Sequence, residues 1–283
     1  MKRILAFGDS NTWGYDPATG QRFDNNIRWT GLLQKALRGQ ALILEEGLCG
    51  RTTVFEDTDR VGRNGLAALP SVLKSNEPLD AAIIMLGTND CKQVFGASSQ
   101  EIAAGMALCL AEISEYVKAE NILLISPICL EEVALGTSYN DRSLAVSREL
   151  SQAYQQPAKL YGVGFLAASE VAKASRIDGE HLTESGHRAL YGAVYPFIKM
   201  RILTTFTRRE PVMKSILIKD TTREEREQIV RQSLWGSCGA ECEFCSGCDN
   251  RGGGRIESLY QPYIDGLKEI SEINEEYRAP FVK

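Results

Sequence analysis

An α/β fold built on a parallel sheet is predicted for roughly the first two hundred residues, and three features point to it. Short apolar runs alternate with longer amphipathic ones, the rhythm of successive βαβ units. The apolar runs are nearly unbroken, as suits strands covered by helices on both faces. Polar clusters follow the first three runs, and in open parallel sheets reactive groups gather just past the carboxyl ends of the strands.

The elements follow in order. Residues 4–7 form the first strand and lead into Gly8-Asp9-Ser10-Asn11. A helix over 30–38 precedes the second strand, 42–45, which runs into the cluster 47–53. A helix over 66–75 leads to the third strand, 81–86, followed by Gly87-Thr88-Asn89-Asp90. In the next segment Ile102, Met106, Cys109, Ile113, Tyr116 and Val117 recur at helical spacing, giving a helix over 99–119. A fourth strand at 122–126, a helix over 141–155, a fifth strand near 162–166 and a helix over 184–200 complete the set. Thr183 suits the N-cap of that last helix, and Glu184 suits its positive end.

Around 205–212 the pattern breaks, with Arg208, Arg209, Glu210 and Pro211 reading as a polar linker. The chain is thus expected to divide into a domain over 1–204 and a smaller module over 213–283. In the module a strand over 215–218, a charged helix over 222–234 and a helix over 263–277 are expected. The chain's 283 residues give room for one α/β domain and a small appendage, and no internal repeat joins the two parts.

A hydrophobic content of 43% and a charged content of 24% are ordinary for a globular protein. The net charge of −5 argues against nucleic acid or an anionic membrane as partner. No apolar stretch approaches the ~18 residues of a membrane span, and no signal peptide is evident, so a cytoplasmic location with reduced cysteines is expected.

Two short segments carry the chemistry. Free serine is a poor nucleophile and needs a base within reach. His181, one of 2 histidines, stands in Asp178-Gly179-Glu180-His181, where one turn can present both side chains to the same pocket. Asp178 would accept from one ring nitrogen, leaving the other to take the Ser10 proton. An oxyanion would need donors, for which the backbone N–H groups of Ser10 and Gly50 and the side-chain amide of Asn89 stand at the strand ends. Trp13, Trp29 and Phe55 are candidate walls of the pocket, and Lys92 a candidate at its mouth. Asp9 reads as a turn residue and His187 as a solvated helix residue. This is the inventory of a serine esterase, cleaving short acyl groups from small soluble esters without a cofactor.

Gly8-Asp9-Ser10, the glycine of Gly47-Leu48-Cys49-Gly50-Arg51-Thr52-Thr53, Gly87-Thr88-Asn89-Asp90 and Asp178-x-x-His181 resemble, in order, the four blocks of the SGNH (GDSL-like) hydrolases. The resemblance covers roughly residues 1–203. It is most similar to bacterial aryl esterases and acyltransferases carrying Phe-Gly-Asp-Ser-x-Thr-Trp-Gly and Ile-Met-Leu-Gly-Thr-Asn-Asp. It implies a three-layer flavodoxin-like fold and an acyl-enzyme mechanism, with Ser10 as nucleophile, His181 as base and Asp178 as its partner. Ser10, Gly50 and Asn89 would form the oxyanion hole. Acyl transfer to an alcohol and a multimeric state are implied by the acyltransferases. Asn11 stands where a leucine or similar residue is usual and carries no role in that scheme. A carbohydrate deacetylase or a thioesterase would use the same residues.

The module holds Cys238-x3-Cys242-x2-Cys245-x2-Cys248 among glycines. Thiolates so spaced could close on zinc, hold an iron–sulfur cluster, act as redox thiols or have no specific role. The first three match the spacing of radical S-adenosylmethionine enzymes, but the module is too short for their barrel. It resembles short bacterial proteins of unknown function that carry a Tyr-Gln-x-Tyr-Ile-Asp-Gly segment, here residues 260–266. If the cysteine loop were the working site, the protein would be chiefly a metal-binding or interaction module.

Overall fold

The computed structural model describes residues 1–203, 217–235 and 260–278. The chain separates into two compact units, Met1–Thr205 and Phe206–Lys283.

In the first unit five strands form one parallel sheet: β1 (Lys2–Gly8), β2 (Ala41–Gly47), β3 (Ala81–Met85), β4 (Ile122–Ser126) and β5 (Gly164–Ala167), in the order β2-β1-β3-β4-β5. The strand side chains alternate between two cores, as the two-residue period of a strand demands. Leu5, Phe7, Ala82, Ile84, Ile122 and Leu124 face one side. There they meet α3 (Gly65–Asn76), α4 (Ser99–Ser114) and α5 (Asp141–Tyr161). Ile4, Ala6, Ile83, Met85, Leu123 and Ile125 face the other, against α2 (Trp29–Ala36) and α6 (Glu184–Ile198). The central strands β3 and β4 are buried along their whole length, which explains their continuous apolar character. The result is the expected three-layer α/β/α arrangement.

Helix ends show why sequence bounds shift. The α4 start is fixed by a capping box in which Ser98 accepts from the Glu101 N–H and the Glu101 carboxylate accepts from the Ser98 N–H. Its expected extension to residue 119 gives way to turns after Ser114 and a short 3₁₀ turn at Ala119–Asn121. Conversely, α5 runs past its expected end through Pro157 to Tyr161, and α6 passes into a π-helical turn at Lys199–Leu203.

The second unit has a small core of Val230, Tyr263, Ile264 and Ile273. It is built on α7 (Arg223–Trp235), α8 (Gln261–Ile264) and α9 (Ile270–Arg278). The buried Arg226 ties it together, its Nε donating to the Ile264 carbonyl at 3.1 Å. Two expectations need correction. The helix over 263–277 is broken, because Gly266 takes φ 76°, a left-handed conformation that ends α8. Of the strand over 215–218, Leu217 and Ile218 are described, and Ile218 opens a 3₁₀ turn over Ile218–Asp220. Among the described residues no helix is long and apolar enough to cross a membrane.

Candidate active site

Strand β1 ends at Gly8, and Asp9 turns the chain into a one-turn helix, α1 (Ser10–Trp13). Asp9 is its N-cap, accepting from the Asn11 N–H at 2.9 Å. Ser10 therefore stands at the first helical position, above the carboxyl end of a central strand. Its N–H is one of the helix's unpaired first-turn donors. The strand order reverses direction about β1, the place where open α/β sheets form their crevice.

The loop before α6 delivers the partner groups. The Asp178 Oδ1 accepts from the Glu180 and His181 N–H groups at 3.1 and 3.2 Å, which folds residues 178–181 into one turn. Its Oδ2 lies 2.7 Å from His181 Nδ1, and His181 Nε2 lies 2.8 Å from Ser10 Oγ. A carboxylate can only accept, so the ring proton belongs on Nδ1, leaving Nε2 free to receive the hydroxyl proton. The Tyr15 ring packs on the imidazole, centroids 4.3 Å apart.

Burial alone would lower the His181 pKa. The Asp178 hydrogen bond and the negative charges of Glu180, Asp178 and Asp9 outweigh it, and the net shift is upward. For Asp178, burial pushes upward, but hydrogen bonds from His181 and from backbone N–H groups carry it downward overall. These opposite shifts describe a group that stays ionised beside one poised to take a proton.

Gly50 lies in the loop after β2 with φ 87°, and a Cβ there would stand 2.5 Å from an Arg60 guanidinium nitrogen. The positive φ disfavours a side chain at this position, whereas the Arg60 end is flexible and could move aside. Asn89 opens a 3₁₀ turn after β3, is buried, and donates one side-chain hydrogen to the Arg51 carbonyl at 3.2 Å. One N–H of that amide remains. Asp90 ties the two loops together by accepting from the Thr53 N–H at 2.8 Å and from its hydroxyl. Ser10, Gly50 and Asn89 therefore sit past the ends of β1, β2 and β3 on one rim of the sheet.

The remaining candidates divide. Trp13 is half-buried beside Tyr15, with Arg22 over its ring at 5.5 Å. Trp29 is not a pocket wall: it is fully buried in the α2–α6 core, and its indole N–H donates to the Asn11 carbonyl at 3.1 Å. Phe55 packs against Phe95 at 5.4 Å on the opposite core. Lys92 pairs with Asp57 at 3.5 Å, and both side chains are largely covered. His187 is not solvated. It is fully buried, accepts from the Trp29 N–H at 3.4 Å and meets Phe23 edge-on, and burial pushes its pKa down to about 4.

Three residues near the site do more than the sequence reading gave them. Asp9 bonds its turn as read, and it is also fully buried, which drives its pKa up to about 7. Arg51 is buried beneath the rim, donating to the Gly8 carbonyl at 2.9 Å and stacking over Phe7. Asn11 bonds across to the His181 loop, and its replacement of the usual leucine was the signal available.

Cys238, Cys242, Cys245 and Cys248 lie outside the described residues. Among the described residues no group of three or more His, Cys, Asp or Glu is placed to hold a metal ion.

A family model for GDSL-like lipases and acylhydrolases matches residues 6–189. Among solved structures, the native aryl esterase of M. smegmatis is 34% identical with a TM-score of 0.67, covering 71% of this chain and 100% of its own. A carbohydrate acetylesterase family member from Sinorhizobium meliloti is 33% identical with a TM-score of 0.66, covering 71% and 99%. A lipolytic G-D-S-L protein from Veillonella parvula shares the fold at 16% identity and a TM-score of 0.51. No curated protein matches the chain.

Proposed function

The chain belongs to the GDSL-like lipase/acylhydrolase family, and from that membership we propose that it is a serine esterase cleaving short acyl groups from small esters through an acyl-enzyme. The observation that carries this reading is the relay from Asp178 to His181 at 2.7 Å and from His181 to Ser10, 171 positions away in sequence, at 2.8 Å.

In the first half-reaction Ser10 Oγ attacks the ester carbonyl carbon while His181 Nε2 takes its proton. The carbonyl π electrons move onto oxygen, where the N–H groups of Ser10 and Gly50 and the Asn89 amide stabilise the charge. Collapse breaks the bond to the alcohol, which leaves with the proton from His181. Water then gives its proton to His181, attacks the acyl carbon and releases the acid, returning the proton to Ser10. An alcohol in place of water would make this second half-reaction an acyl transfer.

Ser10 is only 4% and His181 9% exposed, so a compact acyl group suits the site. The carbohydrate acetylesterase among the similar structures favours acetylated sugars as a second substrate class. Comparing acetylated sugars, aryl acetates and acyl thioesters ranks these readings. The deciding test is mass spectrometry after treatment with a fluorophosphonate, which should add one phosphonyl group to Ser10. An unmodified Ser10 under conditions that label a control serine hydrolase would reject the proposal.

Asn89→Ala should lower kcat on p-nitrophenyl acetate by roughly 10²–10³ with a small change in KM, because the lost donor faces charge that develops in the transition state. A wild-type kcat in that variant would remove Asn89 from the oxyanion hole.

A further inference from the structure

We propose that Asn11 is a positioning residue for the base: its side-chain amide clamps the His181 loop onto the nucleophile turn. This rests on the esterase reading above. Asn11 is 2% exposed and makes four hydrogen bonds, two through its backbone and two through its side chain. The backbone pair locks the residue itself. Its N–H goes to Asp9 and its carbonyl accepts from the Trp29 indole at 3.1 Å.

The side-chain pair reaches across 169 and 171 positions to the residues on either side of His181. Asn11 Nδ2 donates to the Glu180 carbonyl at 3.3 Å, and Asn11 Oδ1 accepts from the Leu182 N–H at 2.8 Å. A carbonyl can only accept and a backbone N–H can only donate, so the two contacts together determine which way the amide points. The amide thus copies one rung of a β-ladder and brackets the histidine whose ring must meet the neighbouring Ser10.

The loop is also tied internally. Ser175 N–H donates to the His181 carbonyl at 2.7 Å, Gly179 N–H to the Ser175 carbonyl at 2.7 Å, and Asp178 caps its own turn. The loop can therefore hold Asp178 and His181 in mutual register while shifting as a body relative to Ser10. Asn11 resists that shift. Leucine fills similar volume but offers neither contact, so the substitution separates positioning from packing.

The prediction has a particular signature. Asn11→Leu should lower kcat on p-nitrophenyl acetate by roughly 10–100-fold, the cost of misplacing a catalytic group by about an ångström. KM should stay near wild type and the fluorophosphonate reaction should slow in proportion. The acid limb of the pH profile should not move, because Asp178, Glu180 and Asp9, the charged groups acting on His181, are all retained. Asn11→Asp keeps the acceptor for Leu182 but loses the donor. Because its second carboxyl oxygen faces the Glu180 carbonyl, acceptor against acceptor, it should not recover the kcat lost in Asn11→Leu.

Hydrogen exchange should accelerate in the peptide containing Leu182 while the sheet peptides keep their protection. A wild-type kcat in Asn11→Leu, a loss appearing only in KM, or exchange accelerated throughout the sheet would overturn the proposal. Failure of wild-type protein to hydrolyse any ester or to take up fluorophosphonate would instead overturn the esterase reading itself.

Discussion

Ser10→Ala should leave essentially no turnover of p-nitrophenyl acetate, a loss of about 10⁶ in kcat, the scale seen when a serine hydrolase loses its nucleophile. In the proposed mechanism the hydroxyl oxygen forms the acyl bond, so neither His181 nor the three proposed donors can substitute for it. Fold stability should hardly change. Ser10 Oγ has one hydrogen bond, to His181, and the cap of α1 belongs to Asp9. A net hydrogen bond of about 0.5–1.5 kcal/mol is all the fold forfeits. Steady-state assays beside thermal melts check both halves. Turnover within tenfold of wild type would mean that another group forms the covalent bond.

Asp178→Asn should lower kcat by roughly 10³–10⁴ and move the acid limb of the profile downward. With His181 as the proposed base, activity in the wild type should require its neutral form. Its raised pKa places that limb above the ordinary histidine value of about 6.5. An amide removes both the hydrogen-bond acceptor and the charge that favour the imidazolium, and burial, which opposes it, is left to act. The amide also allows the wrong tautomer, which accounts for the size of the loss. Stability follows the same linkage. Because the folded pKa of His181 is raised, its contribution is fully present below the unfolded value and is lost as pH rises through the folded one. Asp178 has a depressed folded pKa, so its contribution is present above its unfolded value and is lost as pH falls through the folded one. Initial rates from pH 5 to 9, with urea melts at both ends, test the scheme. An acid limb that stays put in the variant would show that Asp178 does not govern His181.

The strands were legible because each is a short apolar run flanked by turn residues, and β4 at Ile122–Ser126 matches its expected span. The rim of Ser10, Gly50 and Asn89 followed from topology, since successive parallel strands bring their carboxyl ends to one edge. What misled was side-chain environment. Trp29 and Trp13 look alike in sequence, yet α2 turns one into the core while α1 leaves the other half-buried. His187 lies on the buried stripe of α6, with Leu190 and Val194, and its polarity concealed that position. The pairing of Lys92 with Asp57 was invisible because the two residues belong to different loops.

By itself the sequence determined the layered architecture and picked out the edge of the sheet and the residues of the proposed nucleophile, base and partner, because period and turn chemistry are local properties. Tertiary structure alone decided which groups are ionised, which aromatics are core, and how Asn11 reaches Glu180 and Leu182. Desolvation and hydrogen bonding between distant segments depend on what the chain brings near, and no local pattern records that.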